Sequence, residues 1–286
     1  MPDPAPTPLS NRALMTWYLD AGVDETIGEQ PVNRYAALQR SQGPVQAPVS
    51  GVADQSQTPL QQAPFQAPES QQVSQQMSQQ DVQGDSIVQN AYALAAAAKS
   101  VDDLRAALES FEGCALQKTA TNLVFTDGNP KASLMMVGEA PGAEEDRQGV
   151  PFVGPSGKLV DQMLASIGLN REHVLITNTV FWRPPGNRSP TTQEIAICLP
   201  FLERLIELVD PKILVPVGGP ASTALLAQQK GITKLRGHWF SYASSRMASP
   251  IPATPLLHPA YLLRSPAQKR EVWKDLLAIR QKLDEA

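Results

Sequence analysis

Apolar positions along the chain follow two patterns that alternate from residue 86 onwards. Four continuous apolar runs of β-compatible residues predict buried strands, at residues 133–138, 173–178, 212–217 and 251–257. Helical patterns surround them, at residues 86–99, 100–112, 156–167, 191–209, 220–229 and 265–283. Because strands that alternate with helices are joined by right-handed crossovers, we expect an α/β fold: three αβα layers with a central, mainly parallel four-stranded sheet.

Polar side chains and tight turns follow the predicted strands. The four strands run into Gly138-Glu139-Ala140-Pro141-Gly142, Thr177-Asn178, Gly218-Gly219-Pro220 and His258-Pro259-Ala260. In parallel α/β sheets, ligands bind outside the carboxyl ends of the strands. We therefore expect these residues to converge on one site.

A long loop rich in glycine and proline follows the first strand. Phe152 lies in its middle, a setting that favours a platform for a flat ligand over a core position. Ser156 is predicted to cap the next helix, so that the backbone N–H groups of Gly157 and Lys158 hold a phosphate. Asn178 ends a buried strand, where its amide must be satisfied, and its donor and acceptor fit a pyrimidine edge.

Composition changes the picture in the first part of the chain. Residues 37–86 contain 15 glutamines and 5 prolines, which predicts a disordered Gln/Pro-rich linker. Residues 1–36 are predicted to hold a short helical segment, which either covers the main domain or binds a partner. Residues 87–286 are predicted to form the functional domain.

Charge is divided unevenly along the chain. Residues 1–86 carry 3 basic and 9 acidic side chains, whereas residues 87–286 carry 21 basic and 19 acidic ones. The mildly basic second part is compatible with nucleic-acid binding but does not by itself indicate it. No apolar run of about 18 residues and no secretory signal are recognised, so we expect a soluble, cytoplasmic, monomeric protein without a membrane partner.

Six motifs, in order, resemble the uracil-DNA glycosylase superfamily and specifically its family 4. They are Gly138-Glu139-Ala140-Pro141-Gly142, Glu145-Asp146, Pro151-Phe152-Val153-Gly154, Ile176-Thr177-Asn178, Arg183-Pro184-Pro185-Gly186-Asn187-Arg188 and His258-Pro259-Ala260-Tyr261-Leu262-Leu263. The resemblance runs from about Phe111 to Leu283. It implies a monofunctional enzyme that hydrolyses the N-glycosidic bond of uracil flipped out of DNA, which initiates base excision repair.

The resemblance also implies how uracil is recognised. Gly138, Ala140, Phe152 and Asn178 would bind the base, with Phe152 stacked on its face. Asn178 would accept a hydrogen bond from N3–H and donate one to O4, a pattern that cytosine inverts.

Catalysis would rest on His258 and a carboxylate. His258 would donate to O2, where negative charge develops as uracil leaves. Glu139 is the candidate for orienting the attacking water, and Glu145 remains the alternative. Gly142 stands where the superfamily has a bulky tyrosine that excludes thymine, so the means of excluding thymine stays open.

Contacts to DNA would come from the loop before the second helical pattern and from the motif after the fourth strand. A wedge into the duplex is expected from an apolar pair followed by a cation. The residues assigned to DNA binding are Ser156, Gly157, Asn187, Leu262, Leu263 and Arg264.

The clearest departure from family 4 lies at the ligand positions of its metal cluster. Members of that family carry a [4Fe-4S] cluster on four cysteines. In this chain the four positions hold Phe111, Cys114, Trp182 and Cys198. Two thiolates do not hold such a cluster. We therefore expect no metal and no cofactor, with the two aromatic rings filling the space.

Two other classes of function compete with the enzyme. A non-catalytic or covalently trapping uracil-DNA binding protein would share the motifs, but the trapping branch needs a histidine in an insert near Asn187, and none lies there. A nucleotide-binding or phosphotransfer module would need a phosphate loop directly after the first strand, and that sequence is absent.

Overall fold

The computed structural model describes residues 70–285, with side chains from residue 84 onwards. The predicted helical segment at 1–36 and the first part of the predicted linker lie outside the described residues. None of the helices within 70–285 combines the length and the apolar character that a membrane crossing requires.

The sheet has six strands, in the order β1-β3-β2-β4-β6-β5. The four inner strands pair in parallel and match the four predicted runs, whereas β1 and β5 are antiparallel edge strands. The predicted four-stranded sheet is therefore wrong in strand number, because edge strands of two and three residues are too short to show a period. The strands are β1 (Asp127–Gly128), β2 (Leu134–Gly138), β3 (Val174–Asn178), β4 (Ile213–Pro216), β5 (Phe240–Tyr242) and β6 (Ile251–Ala253).

Nine α-helices lie within the described part of the chain. Helix α1 begins at Ser70 rather than at the predicted Ser86, and so enters the segment assigned to the linker. Helices α3, α7 and α8 were not predicted, because four to six residues make fewer than two helical turns and so do not show a repeating apolar pattern. The helices are α1 (Ser70–Ala97), α2 (Val101–Ser110), α3 (Ala143–Gln148), α4 (Pro155–Ala165), α5 (Thr192–Val209), α6 (Gly219–Leu226), α7 (Ile232–Leu235), α8 (Pro259–Arg264) and α9 (Lys269–Asp284).

Two hydrophobic clusters cover the two faces of the sheet. Successive residues of β2 point alternately into them: Leu134 and Met136 into one, Met135 and Val137 into the other. The first cluster also contains residues of α4 and α9, and the second contains residues of α1, α2 and α5. Helices on both faces give the three αβα layers expected from the sequence.

Candidate active site

A cavity of about 660 Å³ opens at the carboxyl ends of the parallel strands. Its walls come from the turn after β2, the last residue of β3, the loop before α4 and the start of α8. The cavity brings together ten of the residues that the sequence assigned to the site: Glu139, Ala140, Gly142, Glu145, Phe152, Ser156, Asn178, Asn187, His258 and Arg264.

Gly138 lies between two of the predicted uracil-binding residues. It pairs with Asn178 in the register of β2 and β3. A β-carbon on Gly138 would overlap the side-chain oxygen of Asn178 and would lie 2.6 Å from Cζ of Phe152. The missing side chain therefore lets the amide and the aromatic ring meet at the cavity floor.

Phe152 is held in an unusual backbone conformation. Its φ of 54° lies in the left-handed region, which costs a non-glycine residue roughly 1–2 kcal/mol. Its carbonyl group packs against Gly157, where a β-carbon would overlap that carbonyl and lie 2.9 Å from Cα of Phe152. Gly157 is buried, packs against Phe152 and is not among the residues that line the cavity, whereas the sequence predicted it to contact DNA.

Asn178 presents an unsatisfied amide to the cavity. The residue is 2% exposed, and its Nδ2 finds no hydrogen-bond acceptor among residues 70–285. Leaving a buried donor unpaired costs about 1–3 kcal/mol. A buried donor that lines a cavity is therefore poised for an acceptor on a ligand.

His258 is the N-cap of helix α8 and is held as a neutral imidazole. Its Nδ1 accepts a hydrogen bond from the backbone N–H of Ala260 at 3.1 Å, which leaves the proton on Nε2. Burial and the nearby Arg264 guanidinium lower the pKa of His258 to about 4. The ring therefore offers a neutral N–H donor to the cavity at neutral pH.

The Glu145 carboxylate is occupied by the backbone around it. One oxygen accepts from the N–H groups of Val153 and Gly154, at 3.0 and 2.8 Å, and the other accepts from Gly142 at 3.1 Å. These bonds join the start of α3 to the loop that carries Phe152. Glu145 thus builds the wall of the cavity.

Glu139 differs from Glu145 because it accepts hydrogen bonds through its main-chain carbonyl group and not through its carboxylate. Its carbonyl oxygen accepts from the hydroxyl of Thr179 at 2.5 Å and from the N–H of Val180 at 3.3 Å. Its carboxylate lines the cavity and makes no hydrogen bond or ion pair with the residues that the structure describes. Of the two carboxylates, Glu139 is the one left free for a water molecule.

The start of α4 departs from the prediction for Ser156. The N-cap of the helix is Gly154, and Ser156 is the second helical residue, so the predicted Ser156 cap is wrong. Pro155 at the first helical position moves the helix start upstream of Ser156. The N–H of Lys158 donates to the Gly154 carbonyl at 3.0 Å and is not free for a phosphate.

Helix α8 separates the members of the predicted wedge. Leu262 is 1% exposed and belongs to the hydrophobic core, a placement that does not favour the predicted contact with DNA. Leu263 is 44% exposed, and Arg264 is exposed at the cavity rim. The burial follows from helix geometry, because consecutive residues of α8 point in directions about 100° apart.

Asn187 and Arg188 form the opposite rim. Asn187 also has a left-handed backbone, with φ of 55°, and its side-chain oxygen accepts from Nε of Arg183 at 2.7 Å. Arg188, which the sequence analysis did not assign, lines the cavity and makes two bonds to Glu194, at 2.8 and 2.6 Å. The sequence feature that could have identified Arg188 as a site residue is its place in the Arg183–Arg188 motif.

The four residues that the family resemblance matched to cluster ligands, Phe111, Cys114, Trp182 and Cys198, all belong to the hydrophobic cluster on the α1, α2 and α5 face. All four residues are buried, and the rings of Phe111 and Phe201 lie 5.1 Å apart. The Phe111 ring covers Gly113, where a β-carbon would lie 2.8 Å from its Cε2. A hydrogen bond with Cys114, together with burial, raises the pKa of the Cys198 thiol. Two thiols among packed rings do not fit a cluster that needs four thiolates.

Comparison with known proteins gives consistent matches. A family model described as the uracil DNA glycosylase superfamily matches residues 125–277, more than half of the chain. The chain is 40% identical to the type-4 uracil-DNA glycosylase of Sulfurisphaera tokodaii over 187 residues, which cover 64% of this chain and 84% of that protein. It is 39% identical to the type-4 enzyme of Archaeoglobus fulgidus, over 63% of this chain and 92% of that one. With its cavity at the sheet edge and these matches, the chain belongs to the uracil-DNA glycosylase superfamily.

Proposed function

We propose that the protein is a uracil-DNA glycosylase, which hydrolyses the N-glycosidic bond of uracil flipped out of DNA and so initiates base excision repair. The observation that carries the proposal is the unpaired, buried amide of Asn178, which lines one cavity with Phe152 and the neutral His258. We place the activity in residues 87–286. Residues 1–36 and 37–86 then stand outside the catalytic unit.

Recognition of uracil follows from the amide of Asn178. Its Nδ2 donates to O4 of the base and its Oδ1 accepts from N3–H, while the Phe152 ring stacks on one face. Cytosine presents a donor and an acceptor in the opposite order, so two buried polar groups would be left unpaired. Sites built around such groups reject the wrong partner by far more than a lost contact alone.

Bond cleavage is assigned to His258 and Glu139. As the bond between N1 of uracil and C1′ of the sugar breaks, its electron pair stays on the base. The Nε2–H of His258 donates to O2, where this charge collects, and the backbone N–H groups near Glu139 and Ala140 assist. The Glu139 carboxylate orients a water molecule whose oxygen bonds to C1′, and it accepts the proton that this water loses, while Glu145 holds the loop.

The DNA strand is assigned to the cavity rim. Leu263 and Arg264 enter the gap that the flipped nucleotide leaves, an apolar wedge followed by a cation. Ser156 and Asn187 contact the sugar-phosphate backbone of the DNA from two sides. Leu262 drops out of this set because it is buried.

The direct test is excision from an oligonucleotide that carries one uracil, followed by alkaline cleavage and measurement of released uracil. We expect strand scission at uracil, and no scission of matched oligonucleotides that carry cytosine or thymine. A non-catalytic binder would retain the DNA and release no uracil, whereas a covalently trapping protein would release at most one uracil per protein molecule and stay bonded to the DNA.

We further propose that this member of the superfamily works without a [4Fe-4S] cluster. Phe111 and Trp182 replace two thiolates, and both side chains are packed in the core. We expect anaerobically purified protein to contain far less than one iron per chain and to keep its activity after dialysis against a chelator. Stoichiometric iron with broad visible absorption would contradict the proposal.

The low pKa of His258 predicts the acid limb of the pH profile. Protonation destroys the acceptor that binds the Ala260 N–H, and it reaches its midpoint only near pH 4. We expect His258 to contribute no loss of kcat/KM between pH 8 and about pH 5, with the loss centred near its pKa of about 4.

Since the unfolded chain takes up this proton at about pH 6.5, the fold should lose stability as pH falls from there towards 4. An acid limb near pH 6.5 that disappears in His258→Asn would contradict this assignment.

A further inference from the structure

Arg171 lies outside the cavity lining, in the single helical turn before β3, and directs all of its N–H groups at acceptors. Its Nε donates to Oδ1 of Asp161 at 2.8 Å, and Nη2 reaches Oδ2 of the same residue at 3.5 Å. Nη1 donates to Asp127 and, at 3.3 Å, to the carbonyl of Pro151, while Nη2 also donates to the carbonyl of Phe152. The five donors of the guanidinium thereby join β1, α4 and the Phe152 loop.

The loop around Phe152 depends on side chains for its shape. Residues 149–154 lie between α3 and α4 and belong to neither. From the cavity side, Glu145 accepts the N–H groups of Val153 and Gly154. From the opposite side, Arg171 binds the carbonyl group of Phe152, whose φ is in the left-handed region. The peptide plane after Phe152 is therefore held from both of its edges.

We infer that Arg171 is a positioning residue, which holds the Phe152 carbonyl and thereby the plane of the ring on which the flipped base stacks. The inference rests on the proposed function, because it assigns Arg171 a role through Phe152 in that reaction. Arg171 is absent from the cavity lining, so it acts through Phe152 and not on the base itself. Its two carboxylate partners fix the guanidinium, so that the loop is held against a rigid group.

Arginine is required at this position by the geometry of its bonds. The acceptors lie on separate elements around a planar group, and a lysine offers only three donors on one atom. We therefore expect Arg171→Lys to resemble Arg171→Ala in kinetics, although it keeps the positive charge between Asp127 and Asp161. If Arg171→Lys keeps the positive charge but does not restore kcat/KM, the role of Arg171 is to position the loop and not only to pair with the two carboxylates.

Arg236 offers a matched control remote from the cavity. It donates to Asp275 at 2.9 and 2.8 Å and to the carbonyl of Glu271 at 2.7 Å, and so joins the residue that caps the C-terminus of α7 to α9. Arg236→Ala removes a comparable set of carboxylate and carbonyl bonds. We expect it to lower Tm and to leave kcat/KM at the parental value.

The experiment compares Arg171→Ala, Arg171→Lys and Arg236→Ala in uracil excision. We expect both Arg171 variants to lose about 10²-fold in kcat/KM, as misplacement of a substrate-contacting group does. In a Phe152→Ala background, Arg171→Ala should cost no more than about twofold, because the ring that it positions is gone. Equal losses in both backgrounds, or a parental rate in Arg171→Ala, would overturn the inference.

Hydrogen exchange provides a readout that does not depend on activity. We expect amides of residues 149–158 to exchange faster in Arg171→Ala than in Arg236→Ala and in the parental protein. If the parental protein releases no uracil, the proposed function fails, while the exchange data still decide whether Arg171 holds the loop. Unchanged exchange in this segment would refute the structural part of the inference.

Discussion

Replacing His258 by alanine is expected to lower kcat/KM for uracil excision by about 10²–10³-fold, the usual cost of removing one donor to a developing oxyanion. The donor is a neutral Nε2–H, fixed by the bond that Nδ1 accepts from Ala260 and by a pKa of about 4. Because His258 is only partly exposed, water does not readily replace its ring at the base. The measurement is single-turnover excision from an oligonucleotide that carries uracil.

His258→Asn is the matched variant that separates catalysis from helix capping. His258 is the N-cap of α8, and asparagine is among the best N-cap residues. We expect the alanine variant to lose about 1 kcal/mol of unfolding free energy through the lost cap, whereas the asparagine variant keeps it. Both variants should lose the same factor in kcat/KM for uracil excision. A parental rate in either variant would show that His258 serves only the structure.

Gly138→Ala is expected to abolish productive uracil binding, with a loss of at least about 10²-fold in kcat/KM. The added β-carbon would overlap Oδ1 of Asn178 and lie 2.6 Å from Cζ of Phe152, so one methyl group displaces both recognition groups. The φ of Gly138 is not in the left-handed region, so the backbone accepts alanine and the effect arises in the cavity. Overpacking of this kind costs about 1–3 kcal/mol of stability.

Gly219→Ala is the control for Gly138→Ala. Gly219 begins helix α6, and among the residues that the structure describes no heavy atom outside its chain neighbours and the adjacent helix backbone lies within 4 Å of the point that a β-carbon would occupy. We expect parental kinetics and an unchanged or higher Tm, because alanine favours the helix. Parental activity in Gly138→Ala would show that Asn178 and Phe152 do not form the base-binding site together.

The site concentrates features that lower the stability of the fold. Phe152 has a left-handed backbone, Asn178 has an unpaired buried donor, and His258 is kept neutral by burial. Each costs free energy in the protein without a ligand, and a bound uracil would satisfy the amide and cover the ring. Local rules are most often broken where function requires it, which agrees with the proposed assignment.

The continuous apolar runs were sufficient to predict the parallel interior of the sheet. Strands covered on both faces are mostly apolar along their length, so β2, β3, β4 and β6 were visible as apolar runs in the linear pattern. The position of Asn178 and His258 at one sheet edge followed from the same pattern. Strands β1 and β5 were missed because each is defined by its pairing with an inner strand and not by a period of its own.

Roles that depend on neighbours from distant parts of the chain came only from the folded structure. Leu262 and Leu263 are adjacent and chemically identical, yet one is buried and the other exposed, because α8 packs one face against the core. The sequence offered Glu139 as the candidate and left Glu145 as the alternative, and only the fold showed that the N–H groups of Val153 and Gly154 occupy the Glu145 carboxylate. Linear motifs specify which chemical groups reach a sheet edge, whereas hydrogen bonds between distant segments decide which of those groups stay free to react.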